Sequence, residues 1–198
     1  MASRFRSHEQ TQKMIYLAIL TALVAILSFI KIPLFGMFSI TLTLPAIVIG
    51  VALCGPLAGA WLGGVFSLMV VLSGEAGAFI AIKPIASIIL VFAKGILAGF
   101  VAGLLYRLLA KKNTILGVSV AAVVAPIVNT GIFFLGCFAF FYETMTEWGA
   151  AYGFESGVSY MFLGLAGGNF LVELAVNIIL CPTILRILQI ITSKKAQA

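Results

Sequence analysis

Of the 198 residues, 63% are hydrophobic and only 9% charged, with a mean hydropathy of +1.22, which excludes a soluble domain because no core of this size could hide that much apolar surface. A formal net charge of +6 would suggest nucleic acid in a soluble protein, but here the basic residues gather at the chain ends and in one internal loop, the distribution that orients a membrane protein. The composition therefore predicts an all-α polytopic membrane protein, a single transmembrane domain over 1–198.

Apolar runs bounded by charge, glycine or proline predict six transmembrane helices, since a bilayer core takes about 20 residues per span. A polar tail, 1–11, precedes the first at 12–29. Arg4, Arg6 and Lys13 ahead of that run resemble a signal peptide, but no small-x-small cleavage site follows and further spans do. The second helix, 39–54, is short and carries Pro45, so it is expected to be tilted, kinked or partly re-entrant. A tight corner at Gly55 and Pro56 leads to the third, 57–73. The fourth occupies 84–109, the fifth 114–141 and the sixth 160–191, with a short tail, 193–198, behind it. Segments 73–83 and 142–159 are longer and glycine-rich, either loops that close over a ligand or simple solvated connectors.

The connections alternate in charge. Arg4, Arg6, Lys13, Arg107, Lys111, Lys112, Arg186, Lys194 and Lys195 fall on one side of a six-helix thread. Glu75, Glu143, Glu147 and Glu155 fall on the other, with only Lys31 and Lys83 as basic neighbours. By the positive-inside rule both termini are cytoplasmic.

Charged groups inside the span cost at least a few kcal/mol each unless paired or solvated, about 3 on insertion scales, so they mark the first candidates. Lys94 lies ten residues beyond Pro84, about 15 Å along its helix. Glu173 lies at comparable depth in the sixth helix, on one stripe with Asn169 and Asn177 at i, i+4, i+8. Asn129, beside Thr130, reaches a similar depth in the fifth. An ammonium, a carboxylate and amides that both donate and accept suit a small polar molecule. A purely structural reading has Lys94 and Glu173 neutralise each other while the asparagines bridge helices. Lys83, at the mouth of the fourth helix, is a second cationic candidate or an interfacial lysine, and Trp148, Tyr152 and Tyr160 are ligand caps or interfacial anchors.

Small residues recur where helices should meet: Gly59, Gly63 and Gly64; Gly95, Gly99 and Gly103; and Gly164, Gly167 and Gly168. Ala18, Ala22 and Ala25 form a similar stripe on the first helix, facing a neighbouring helix or a partner protein. Cys54, Cys137 and Cys181 stand singly without metal-ligand spacing, and His8 has no second histidine, so no metal site and no cofactor on this chain are expected. There is no phosphate-binding loop, dinucleotide fingerprint, H-E-x-x-H or G-x-S-x-G, so ATP hydrolysis is not expected of the chain itself.

Three features together resemble the substrate-binding S components of energy-coupling-factor (ECF) vitamin transporters across nearly the whole chain. The run Leu17-Ala18-Ile19-Leu20-Thr21-Ala22-Leu23 looks like the family's A-x-x-x-A coupling motif; residues 44–50 leading into Gly55-Pro56-Leu57-Ala58-Gly59-Ala60 are similar to its second and third helices; Pro126-Ile127-Val128-Asn129-Thr130 and Asn169-Phe170-Leu171-Val172-Glu173 resemble its fifth and sixth. The resemblance implies a six-helix bundle that captures a vitamin or vitamin precursor near its outer face, assembles with a membrane-embedded coupling subunit and two ATP-binding-cassette ATPases, and delivers its cargo by toppling. It further implies a pantothenate-type branch, through Asn129-Thr130, the Asn169-x-x-x-Glu173 spacing and Lys94. The alternatives are a self-sufficient proton-coupled transporter using Glu173 and, outside transport, an intramembrane enzyme or a membrane scaffold. The enzyme is disfavoured by the absence of a nucleophile–base pair.

Overall fold

In lipid the backbone must satisfy its hydrogen bonds within itself, and this chain does so almost wholly by helices. The computed structural model describes residues 2–30, 32–33, 39–40 and 42–196, with side chains for 10–30 and 42–191. Lys31 lies outside the described residues, as do the side chains of Arg4, Arg6, His8, Lys194 and Lys195. The order is α1 (Ala2–Phe29), β1 (Ile32–Pro33), β2 (Ser39–Ile40), α2 (Thr43–Cys54), α3 (Pro56–Leu72), α4 (Gly77–Ile82), α5 (Pro84–Leu109), α6 (Thr114–Phe140), α7 (Tyr142–Ala151), α8 (Gly157–Ser159), a π-helix (Tyr160–Leu165) and α9 (Gly167–Ala196). Among the described residues, four stretches, Gln10–Phe29, Pro84–Leu109, Thr114–Phe140 and Gly157–Ile191, are long and apolar enough to cross a bilayer; α2 and α3 are shorter apolar helices.

Local chemistry sets the ends. Pro84 opens α5 and Pro56 opens α3 in the first turn, where a missing N–H costs nothing. Asn113 caps α6, its side-chain oxygen accepting from the N–H groups of Ile115 and Leu116 at 2.8 and 3.3 Å. Gly55 takes φ 93°, a left-handed conformation that lets α2 turn directly into α3.

Several expected boundaries are corrected. Ser39 and Ile40 belong to a two-residue antiparallel ladder, with Ile32 opposite Ile40 and Pro33 opposite Ser39, and not to α2. Helix α2 begins at Thr43, so Pro45 falls in its first turn and removes no intrahelical bond. Helix α1 runs back through the polar residues to Ala2, and α9 runs on to Ala196, since Arg, Gln, Glu and Lys are good helix formers outside the apolar stretch as well. The segments expected as loops carry α4, α7 and α8. The single helix expected over 160–191 is broken: a π-turn, closed by Ala166 N–H donating to the Met161 carbonyl at 3.1 Å, precedes α9.

Packing follows small residues. Helices α3 and α5 run together, with α6 on the other side of α5 and α9 against α6; α1 leans on α2 and α3. Three apolar clusters result. One joins α1, α2 and α3 through Leu20, Val24, Ile47, Leu62 and Phe66. A second joins α2, α5, α6 and α9 through Val48, Ala102, Val118 and Ile184. The third lies at the end of the bundle that carries α4, α7 and α8, hereafter the loop end, around Leu90, Phe141, Met145 and Met161.

Candidate functional site

Between the first and third clusters the apolar packing is interrupted by a cavity of about 90 Å³. Phe66, Val70, Ala76 and Val91 reach it from one cluster, Leu90, Leu165 and Phe79 from the other. Its polar wall consists of Lys94 and Ser87 from α5, Asn129 and Thr130 from α6, Asn169 and Glu173 from α9, and Glu75 from the turn before α4. Four of the six residues expected at a ligand site therefore meet in one place.

Each helix delivers its residue for a stated reason. Lys94 precedes Gly95, whose bare backbone lies against Gly63 of α3, so the lysine is held on the side of α5 away from that contact. Its ammonium lies over the Phe133 ring, 5.3 Å from the centroid. Lys94 and Glu173 are near enough for their charges to interact, yet among the described residues they form no direct ion pair. Glu173 and Asn129 are only 9% and 7% exposed. The Oδ1 atoms of Asn129 and Asn169 are buried and have no hydrogen-bond partner, an expensive state that a bound donor would relieve.

Two expected members lie elsewhere. Asn177, the next residue on the α9 stripe, does not line the cavity; its Nδ2 donates to the backbone carbonyl of Glu173 at 2.8 Å. Lys83 reaches sideways, donating to the Phe140 carbonyl at 2.7 Å, and lines a separate apolar groove with Ile85, Ile89 and Phe140. Nor do Trp148, Tyr152 and Tyr160 touch the cavity. Tyr152 stacks on Tyr160 at 5.8 Å, while Trp148 meets Phe79 edge-on at 5.4 Å. Phe79, which the sequence did not single out, lines the cavity and is gripped edge-to-face by Phe133, Phe141 and Trp148.

Ala18 and Ala22 are exposed and Ala25 half-buried, so the stripe on α1 looks out of the bundle. Beside it, the Trp61 indole N–H of α3 donates to Thr21 Oγ1 at 3.1 Å. Among the described residues no three His, Cys, Asp or Glu side chains gather as a metal site.

The family model for the ECF transporter substrate-specific component matches residues 12–185. The chain belongs to this family. As an S component it is a substrate-binding subunit of a membrane transporter and not an enzyme. A solved structure of ThiT from Listeria monocytogenes is similar in fold, with a TM-score of 0.60 over 88% of this chain and 95% of that one, at 21% identity. No curated protein matches the chain at a significant level. The cavity gathers Ser87, Asn129 and Glu173 from among the buried polar residues of this fold.

Proposed function

We propose that this S component captures a vitamin or vitamin precursor in the cavity between α3, α5, α6 and α9, using Lys94, Asn129, Asn169 and Glu173. The carrying observation is the convergence of those residues from three helices around unpartnered amide oxygens, next to Phe79. Asn177 supports the wall by tying its side chain to the Glu173 backbone, and Lys83 stands at the loop end outside it. A volume of about 90 Å³ is well below the roughly 300–1,000 Å³ usual for small-molecule pockets, so ligand entry requires Phe79 and α4 to draw back. Pantothenate, the specific cargo suggested by resemblance, would place its carboxylate on Lys94.

Six apolar helices cross the membrane in this reading, including short α2 and α3, with both termini cytoplasmic and the tails 1–11 and 193–198 on that side. Energy comes from a membrane-embedded coupling subunit and two ABC ATPases, the bundle toppling to release its cargo. Ala18, Ala22 and Ala25 face the coupling subunit, because a helix can lie close against alanines but not against bulky side chains. A proton-coupled transporter acting alone through Glu173 would import without partners.

The test separates the two. Replacing Ala18 and Ala22 together with Trp is expected to leave the purified chain folded and able to bind its ligand, while abolishing co-purification with the coupling subunit and ATP-dependent uptake. Normal assembly and uptake by the double variant would sink the coupling assignment; uptake by the chain alone in proteoliposomes without ATP would favour the self-sufficient carrier. Orientation is checked with Ser156→Cys and Ser193→Cys in a cysteine-free background. Only the first is expected to react with an impermeant thiol reagent in intact cells.

A further inference from the structure

Beside the cavity, and separate from it, an open groove runs along the start of α5. Ile82 from α4, Lys83, Ile85, Ala86 and Ile89 around the first turns of α5, and Phe140 at the end of α6 line a volume of about 550 Å³. That is inside the roughly 300–1,000 Å³ usual for small-molecule pockets. Its apolar members look out of the bundle, Ile85 and Ile89 being 75% and 62% exposed and Phe140 49%. In a chain that spans a membrane, such a face is turned to lipid. Pro84 is the first residue of the α5 span, so Lys83 stands at the polar edge of the bilayer and the groove descends from it to Ile89, about 9 Å along the helix. Tyr142, exposed and stacked on Phe138 at 6.2 Å, is an amphipathic ring of the kind that settles at the same level.

Among the described residues that line the groove, only Lys83 is charged. Its ammonium donates to the Phe140 carbonyl at 2.7 Å and lies 6.0 Å from the centre of the Phe141 ring. Among the described residues it forms no ion pair with a carboxylate. An ammonium has three donors and no acceptor, so two remain for the oxygens of an anion. A free cation at headgroup depth with an apolar channel below it complements an amphiphile with a negative head and a hydrocarbon tail.

We propose that this groove binds an anionic phospholipid of the leaflet at the loop end, with its phosphate on Lys83 and one acyl chain along Ile85, Ile89 and Phe140. The site is independent of the cargo, because Lys83 lies outside the polar cavity.

The experiment places the full chain in bilayers of phosphatidylcholine and phosphatidylglycerol. Trp61→Phe and Trp148→Phe remove both native tryptophans, and Phe140→Trp puts a single reporter in the groove. Fluorescence quenching by brominated acyl chains, carried on one lipid or the other, gives their relative affinity at that position. Phosphatidylglycerol is expected to be favoured about fivefold, the scale of one basic side chain near an anionic headgroup. Lys83→Gln should bring the ratio to about one, while Lys83→Arg, which keeps the charge, should preserve it. Leu163→Trp, at another lipid-facing position of the loop end, 74% exposed and outside the groove, should show no preference.

A ratio near one at the Phe140→Trp reporter, or a preference that survives Lys83→Gln, overturns the proposal. An equal preference at the Leu163→Trp reporter also overturns it, since the field of the whole surface would then be the cause. Feeble quenching by both lipids would mean that protein, such as a second copy of this chain, covers the groove, and the proposal would fall. Native mass spectrometry of the chain with its own tryptophans, released from an equimolar bilayer, repeats the comparison without the reporter. Retained phosphatidylglycerol is expected to drop about fivefold in Lys83→Gln, and retention at the wild-type level overturns the assignment.

Discussion

Helix α5 shows two unlike faces to its neighbours. Toward α3 it is almost without side chains: a Cβ added at Gly95 would meet Gly63 and Ser67, one at Gly99 would meet Gly59, and one at Gly103 would lie 2.5 Å from the Pro56 Cα. Toward α6 and α9 the same helix carries Lys94 into the polar cavity. The first face is fixed by backbone-to-backbone approach, which leaves no freedom to slide; the second is a set of polar groups with unpartnered oxygens, which leaves room for something to be added. Rigidity on one side lets the adjacent residue, Lys94, hold a defined position without an ion pair of its own. The contrast predicts opposite responses to mutation on the two faces.

The largest effect belongs to the glycine seam. Gly99→Val puts branched carbon against the Gly59 backbone, where neither partner can yield, and is expected to destabilise the chain by about 3 kcal/mol or to prevent its recovery as a folded protein. Gly131→Ala on α6 is the matched control, because nothing lies within 4 Å of its added Cβ; stability should hold or rise by up to about 1 kcal/mol. Thermal unfolding of the purified variants decides it, and equal midpoints for the two would mean that α3 and α5 do not approach as closely as described.

On the cavity face the expected response is loss of binding without loss of fold. Asn129→Ala and Glu173→Gln should each weaken ligand binding by about 1 to 3 kcal/mol, the usual cost of leaving a buried polar partner unmatched, while the unfolding midpoint stays near that of the wild type. Calorimetric or fluorescence titration provides the affinity. Unchanged binding in both well-folded variants would move the site toward the loop end. Lys94→Ala is a poorer probe, because its removal withdraws a charge that Glu173 feels and so mixes fold with binding.

These two faces were unequally legible in the sequence. Gly95, Gly99 and Gly103 announce a close helix contact by their spacing, and Lys94, Asn129, Asn169 and Glu173 stand out because polar groups are expensive in lipid. The rest of the cavity carries no such signal. Phe66, Phe79 and Phe133 are three of 16 phenylalanines, and only tertiary packing distinguishes the ones that border the polar wall. Glu75 was legible as a loop acid that helps set orientation, but the turn at Gly74, with φ 76°, which brings the chain around toward the wall, was not. Asn177 shows the limit of stripe reasoning: i, i+4, i+8 spacing gives a common face, yet an asparagine can turn back to its own helix, as this one does to the Glu173 carbonyl. Helices α4 and α7 are too short for an apolar period to reveal, and the π-turn at Tyr160–Leu165 leaves no compositional trace.

The smallest expected effect tests where the polar face ends. Lys83 sits at the start of α5, on the same helix as Lys94 and at the loop end, so a site that extended outward would be expected to recruit it. Its ammonium instead donates to the carbonyl of Phe140, in the last turn of α6, and lies 6.0 Å from the Phe141 ring. That contact satisfies one of the carbonyls a helix leaves without an intrahelical partner, and a cation there also complements the negative end of the α6 dipole. Because the residue is exposed, water can replace the ammonium, and Lys83→Ala is expected to cost no more than about 1 kcal/mol of stability. Ligand affinity should be unchanged within a factor of about two, roughly 0.4 kcal/mol. Lys83→Gln, which keeps a donor but no charge, should recover part of the stability and leave binding where it was. A tenfold loss of affinity in Lys83→Ala with an unmoved unfolding midpoint would show that the ligand reaches beyond Phe79 to the loop end, and the boundary drawn between the cavity and the groove beside it would have to be redrawn around both lysines.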